Sequence, residues 1–522
     1  MGQRKMFAGG ITAALLAGLL LIGGCGSGGA EEPEASAGAA AATAGSSAAP
    51  EADMSKPVKL KWILYGETTP DSKRVWDTFN KELESVLPNT TVEFTVIDGA
   101  SYNDKTRLIV AAGEDYDIMW SSGWRGDYTG KITGGAFMPV QGLIDRYAPK
   151  LKEAIPANDW AMAELNGVLY GIPSHQTIIN GKSLNIPAKY YDQVTKGVDV
   201  AAIEAMSADP KISYVDVLRK IEPMVENAKT EVKEYAAAFG TPNMINKNYE
   251  VIIAKLVGIR KGDSDRKMYS LLETEEYKSM LPLVREWQKK GYFAKDMATF
   301  AKTPTNKIAA TIFYTNYSLP LKQNQTADEK LYGVGNHLKR ILVTPPAHSS
   351  AEGVSSAQFI NYKSKNPERA IKLLEVLNTN PKLYNLLSYG IENEHYKVNE
   401  DGTLAILSQN YKMQDWLIGN TDHSIGNANN KELIEANTKA MAAAPVSPIM
   451  GFIFNMDPVK NEIASLNALI NEYQLGLDYG MYEDPMAKYA EYVAKLKTAG
   501  IDKVVQEAQT QVDNWAKIKG LK

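Results

Sequence analysis

Trp124, Asp127 and Tyr128 follow one short apolar run, Tyr116-Asp117-Ile118-Met119-Trp120, and Tyr65 and Glu67 close another. Rings set beside carboxylates and hydroxyls suit a guest with apolar faces and a fringe of hydroxyls, and a saccharide ring has that form. Trp120 supports two readings, cleft wall or core filler. The pair Glu67 and Asp127 could also serve hydrolysis of a glycosidic bond, which needs two carboxyl groups. A chain with 61 acidic residues offers many such pairs, however, and it holds no G-x-S-x-G, H-E-x-x-H or G-x-x-x-x-G-K-[ST] signature. No catalytic residue is assigned, and the expectation is a binding protein rather than an enzyme.

Composition narrows the chemistry further. The single cysteine, Cys25, rules out an internal disulfide framework and a cysteine-based zinc cluster. His175, His337, His348, His395 and His423 show no i,i+4 pairing, so no metal site and no cofactor is expected. The net charge of -4 comes from interspersed acidic and basic residues, without the clustered basic stripe of a nucleic-acid surface. The 27 Tyr and 8 Trp supply stacking surface, although core filling accounts for most of them.

The first residues point to export. Arg4 and Lys5 precede an apolar run from about Met6 to Ile22, shorter than the ~20 residues of a membrane span. Leu21-Ile22-Gly23-Gly24-Cys25 resembles the bacterial lipobox, in which the cysteine is lipidated and becomes the mature N-terminus. Residues 26–56 are rich in Gly, Ala, Ser and Glu and lack aromatics, as a tether would be. The expected organisation is a signal peptide over 1–24, a lipidated Cys25 with a linker to 56, and a folded body from 57.

The elements that must position the rings read as α/β. Val58–Tyr65 alternates as a strand, and Thr69-Pro70 supplies a helix cap and a first-turn proline. Trp76, Phe79, Leu83, Val86 and Leu87 follow at helical spacing. Val92, Phe94 and Val96 alternate as a second strand, a helix spans about Tyr102 to Ala112, and Tyr116–Trp120 is a third strand. This βαβαβ order predicts a largely parallel sheet, and ligands of such sheets sit beyond the carboxyl ends of the strands, where the rings fall. Farther on, Asp457, Asp484 and Asp502 are placed to cap three amphipathic helices.

Asn166-Gly167-Val168-Leu169-Tyr170-Gly171-Ile172-Pro173 resembles the dG-x-x-YG-x-P segment of family 1 extracellular solute-binding proteins, with Trp160 fitting upstream. Trp287–Tyr292 with Asp296 resembles another segment of that family. Tyr389-Gly390-Ile391-Glu392-Asn393-Glu394-His395-Tyr396 resembles the YGIEGKHY segment of LipO-like lipoproteins, with Asn393 and Glu394 in place of Gly and Lys. Met450–Phe454, Pro458–Lys460 and the stretch from Leu496 through Gln511 and Trp515 resemble their C-terminal domain of unassigned function.

The resemblance implies a two-lobed, periplasmic-binding-protein-like fold (type II), each lobe a sheet flanked by helices, with extra C-terminal helices. It places 57–173 plus about 300–350 in an N-terminal lobe. It places 174–299 plus about 351–522 in a C-terminal lobe, with 445–522 as its helical end. Between the lobes it adds His175, Gln176, Tyr314 and Tyr317 to Tyr65, Glu67, Trp120, Trp124, Asp127 and Tyr128 as ligand-binding residues. His175 also reads as a structural histidine, and Glu392 and His395 have two readings, reaching the ligand or capping a helix. The implied role is a monomeric, lipid-anchored protein on the outer face of the cell membrane. It would capture a solute, a sugar or oligosaccharide, and deliver it to the permease of an ABC importer. A peptide-binding importer subunit and a non-transport surface lipoprotein are the alternatives.

Overall fold

The computed structural model describes residues 54–521, apart from 177–180, 233–236, 303–309, most of 318–334, and residues at 345, 350–353, 401, 403 and 429. The signal segment, Cys25 and the tether as far as residue 53 lie outside the described residues. The remainder forms a single compact unit with two apolar cores, each under its own sheet.

The first sheet starts from β1 (Val58–Tyr65), α1 (Ser72–Leu83), β2 (Thr90–Ile97), α2 (Tyr102–Ala112) and β3 (Ile118–Ser121). β1 runs parallel to both β2 and β3, as the βαβαβ order predicts. Trp62, Leu64, Val75 and Phe79 are fully buried between β1 and α1. The helix starts at Ser72, two residues later than Thr69-Pro70 suggests, because Thr69 instead bonds the Ser72 hydroxyl at 2.9 Å. Asp71 stands at the cap position, but its carboxylate faces the His395 ring, 3.1 Å from Nε2, and the Arg74 guanidinium. His395 is 1% exposed and its Nδ1 accepts from the Ile391 amide at 3.0 Å, so it pins the 390–396 turn to α1.

After α3 (Tyr128–Thr133) and α4 (Ala157–Met162), β4 (Gly171–Pro173) completes the edge of the first sheet. The chain then crosses to β5 (Lys182–Pro187), the helix α5 (Tyr214–Glu231), β6 (Ala237–Phe239) and α6 (Glu275–Lys289). β7 (Ala310–Asn316) and β8 (Leu338–Thr344) flank β5 antiparallel, giving a second sheet ordered β8-β5-β7-β6. The chain returns through β9 (Ala357–Ile360), which lies antiparallel between β3 and β4 in the first sheet. The helices α7 (Pro367–Thr379) and α8 (Pro381–Tyr389) cover that sheet.

Two segment assignments are therefore corrected. Residues 310–316 and 338–344 belong to the second core rather than to the first lobe, and 357–418 belong to the first core rather than to the second. The cause is pairing. β9 is paired on both edges and all four of its residues are buried: Tyr128 and Phe137 stack on Phe359, and Gln358 meets Trp62 Nε1 at 2.8 Å and the Leu417 carbonyl at 2.5 Å. A short apolar strand carries no signal of which sheet it will join.

The last helices, α9 (Lys460–Asp478), α10 (Pro485–Thr498) and α11 (Ile501–Ile518), pack on the second core through Ile463, Leu466, Tyr473, Tyr492, Val504 and Trp515. Asp484 caps α10 through the Met486 and Ala487 amides. Asp457 and Asp502 do not cap: Asp457 opens a single 3-10 turn, and Asp502 lies inside α11 after Gly500 and pairs with Lys497. Lys519 reaches Glu164 beside the first sheet.

Asp478 at the end of α9 is buried, accepting from the Tyr277 hydroxyl at 2.9 Å and from Asn243 Nδ2 at 3.2 Å. Burial pushes its carboxyl up to about 6, although the two donors oppose the shift. A folded value above the unfolded one means the added stability is complete below about 4 and is lost as pH rises through 6. The shift corresponds to roughly 3 kcal/mol at neutral pH. Asp478→Asn removes that penalty and forfeits one hydrogen bond of about 1 kcal/mol. Chemical denaturation should show it about 2 kcal/mol more stable than wild type at pH 7.5, with no gain at pH 4.5. Equal midpoints at pH 7.5 would refute the assignment.

Candidate functional site

The rings singled out in the sequence meet at the carboxyl ends of β1 and β3. Tyr65 is the last residue of β1, and its ring centroid lies 5.2 Å from Trp120, 5.6 Å from Trp124 and 5.6 Å from Tyr102. Gly99 admits this packing, because a Cβ there would stand 2.9 Å from the Tyr65 hydroxyl. Trp416 completes the group, 5.9 Å from Trp124, 6.0 Å from Trp120 and 6.3 Å from Tyr65. Offset and edge-on contacts at these separations favour a rigid cluster.

Local structure fixes how each ring is presented. Ser122 closes a tight turn, its amide and hydroxyl both donating to the Arg125 carbonyl at 2.8 and 2.9 Å. The turn projects Trp124 outward, half exposed at 50%, and its indole N–H donates to the Ser355 carbonyl at 2.9 Å. The Arg125 guanidinium lies 5.9 Å from the Tyr65 ring centre and 5.7 Å from Trp124, and it donates to the Gly99 carbonyl at 2.8 Å. Trp416 rides on a 3-10 turn, Asp415–Leu417, with its amide bonded to Asp415 Oδ1 at 2.9 Å. Tyr389 donates to the other oxygen of Asp415 at 3.1 Å and also meets Ser424. Burial raises the Asp415 carboxyl above the usual range.

The remaining candidates take different places. Trp120 is fully buried with Nε1 on the Ser356 hydroxyl at 2.8 Å, so it is the floor beneath the exposed rings. Tyr128 is 2% exposed and stacked on Phe359 at 5.5 Å; it belongs to the core, and its expected place in a cleft is corrected. Asp127, at φ 48°, caps α3 by accepting from the Gly130 amide at 3.1 Å, because the chain must turn there to enter the helix. Glu67 is exposed and lines a depression with Tyr65, Gly66, Gly99 and Gln414. Tyr314 and Tyr317 stand on and just after β7 in the second sheet, the Tyr314 hydroxyl 3.3 Å from that of Thr344.

His175 and Gln176 follow β4. Gln176 donates to the Trp416 carbonyl at 3.1 Å. The His175 ring is mostly buried, with Nδ1 2.6 Å from Asp159 Oδ2 and Nε2 3.6 Å from Asp422 Oδ2. Sequence reasoning missed Trp416 and Arg125. Arg125 stands next to Trp124 and was within reach of the argument, whereas Trp416 lies in a stretch without motif or periodicity. Among the described residues no cluster of three or more His, Cys, Asp or Glu could hold a metal ion, and no helix is long and apolar enough to cross a membrane.

The comparisons with known proteins agree with this architecture. Residues 448–517 match the model of a domain of unknown function, DUF3502. A protein named carbohydrate ABC transporter substrate-binding protein from Streptococcus pneumoniae is 25% identical over 489 residues, covering 89% of this chain and 92% of that protein. Among solved structures, the N-glycan transport solute binding protein NgtS from Streptococcus pneumoniae superposes with a TM-score of 0.70 at 22% identity, covering 89% of this chain and all of the other. The alginate-binding protein AlgQ2 superposes with a TM-score of 0.55 at 16% identity, covering 88% of this chain and 98% of the other. This chain carries the two-lobed α/β fold of the solute-binding proteins and ends in a DUF3502 domain.

Proposed function

We propose that the chain captures an oligosaccharide on the platform made by Trp124, Trp416 and Tyr65 and hands it to the permease of an ABC importer. One observation carries the reading. Aromatic side chains from three separate segments converge at the carboxyl ends of β1 and β3, and the outermost, Trp124, is left half exposed. A fully packed core would cover such a ring, whereas a saccharide face would complete it. Glu67, beside the rings, supplies an acceptor for sugar hydroxyls. The relatives support the class of guest, since one is named for carbohydrate and NgtS was solved both with Man1GlcNAc and with Man5GlcNAc.

The second wall of the cleft is the second sheet, from which Tyr314 and Tyr317 are offered. The chain passes between the two halves after β4, between β8 and β9, and again between Ile418 and α9, and these crossings form the hinge about which the halves close on the guest. Closure removes the sugar from water and strengthens each polar contact. The body is held at the outer face of the cell membrane by lipid on Cys25, where two acyl chains suffice for stable anchoring.

A thermal-shift screen of the mature body against N-glycan fragments, other oligosaccharides and short peptides tests the reading. A guest that binds only the folded state raises Tm, by an amount equivalent to about 2.7 kcal/mol at a hundredfold excess over Kd. Stabilisation by peptides and by no saccharide would make this a peptide-binding subunit, and no response to either would remove the transport role. Palmitate labelling of whole cells should be lost in Cys25→Ser, and labelling that persists would remove the anchor.

A further inference from the structure

Where the chain leaves β4, a strip of three residues is fastened to the segment that carries Trp416. The Ser174 hydroxyl donates to the Leu417 carbonyl at 2.9 Å, the His175 carbonyl accepts from the Thr421 amide at 3.0 Å, and Gln176 donates to the Trp416 carbonyl at 3.1 Å. From the other side α8 holds the same segment, with Tyr384 donating to the Asp415 carbonyl at 3.0 Å and Asn385 to the His423 carbonyl at 2.7 Å. Trp416 is thus clamped between α8, which belongs to the first core, and the start of the crossing to the second.

The clamp has one ionisable joint. His175 Nδ1 lies 2.6 Å from Asp159 on α4, and Nε2 lies 3.6 Å from Asp422 in the 3-10 turn Thr421–His423. A neutral imidazole has one N–H. Held on Nδ1 by Asp159, that proton leaves a bare lone pair facing the Asp422 carboxylate. The imidazolium serves both carboxylates. The other titratable groups of the segment face elsewhere: Asp415 towards Tyr389, and His423 Nε2 towards the Asn378 carbonyl at 2.8 Å.

We infer that His175 is a positioning residue for saccharide capture: its ring, shared between Asp159 and Asp422, holds the crossing segment against the turn that carries Trp416. The inference rests on the proposed function for its ligand and on the geometry alone for the clamp. Burial works against the charged ring, but the hydrogen bond and field of Asp159, with the field of Asp422, outweigh it and raise the imidazole above its ordinary value. Because the folded value is the higher one, the added stability is complete below the unfolded value of about 6.5 and is lost as pH rises through the folded value. The clamp is therefore tightest in mildly acidic surroundings and slackens in alkaline ones.

The test uses the mature folded body, wild type, His175→Gln and Asp422→Asn, in two arms. In the ligand-free arm, hydrogen exchange over Asp415–Ser424 at pH 6, corrected for intrinsic rates, should quicken several-fold in His175→Gln, with exchange in α9–α11 unchanged. In the binding arm, an N-glycan fragment is titrated calorimetrically between pH 6 and 9. Wild-type affinity should fall by about fivefold across the range, the lower end of typical coupling between sites. His175→Gln should lose that dependence and bind about fivefold more weakly at pH 6, and Asp422→Asn should show a flattened profile even if His175→Gln folds poorly. Unchanged exchange overturns the clamp. Faster exchange with unchanged affinity and pH profile overturns the positioning role, since the ring then supports only the local fold. If wild type takes up no saccharide, the proposed function falls, and the exchange arm still upholds or overturns the clamp.

Discussion

Trp124→Ala should weaken saccharide capture by about 30-fold, a loss of roughly 2 kcal/mol, which is the threshold of a binding hot spot. The ring is half exposed and its Nε1 bond to the Ser355 carbonyl is solvent-accessible, so its removal opens no core cavity. The unfolding free energy of the ligand-free variant should stay within about 0.5 kcal/mol of wild type, as surface substitutions generally do. Trp416→Ala should weaken capture by a similar factor. The double variant should lose less than the two losses added together, because the rings are in contact at 5.9 Å and each orients the other. Calorimetry with one N-glycan fragment across the three variants decides the matter. Wild-type affinity in Trp124→Ala would move the guest away from this platform.

The neighbouring Trp120→Ala should behave in the opposite way, costing about 3–5 kcal/mol of stability, the range for deleting a large buried aromatic. Trp120 is fully buried and touches Tyr65, Tyr102, Trp124 and Trp416, and its indole N–H satisfies the Ser356 hydroxyl. Its loss leaves a cavity under every exposed ring and an unpaired hydroxyl beside β9. Urea denaturation should show the early midpoint directly, and any loss of affinity should be recovered in part by conditions that restore the fold. A variant as stable as wild type would mean that Trp120 faces the guest and not the core.

The contrast between these two tryptophans, four residues apart, shows where local reasoning stops. Both stand near the end of the same strand with similar neighbours in sequence. Burial separates them, and burial of Trp120 depends on β9, which arrives from far along the chain to pair with β3. The same limit applies to Tyr128. Its position after Asp127 in a polar loop suggests exposure, but the left-handed turn at Asp127 directs the following helix inward and stacks Tyr128 on Phe359.

Much was nonetheless open to a reading of residues. The first three strands and two helices follow from alternation and helical spacing, because their order is local and parallel pairing of consecutive β-α-β units has one favoured hand. That order alone places Tyr65 and Trp124 at one edge of the sheet. The amphipathic faces of α9 and α10 were equally legible, since a helix must bury its apolar stripe wherever it docks. What the order of residues left undetermined was which strands cross between sheets: β7 and β8 join the second, β9 returns to the first. Strand pairing is a long-range choice made by backbone hydrogen bonds that every residue type offers alike, so side-chain pattern scarcely marks it. The same return brings Trp416 to the platform and Asp422 to His175, and only tertiary structure could decide that these two residues matter.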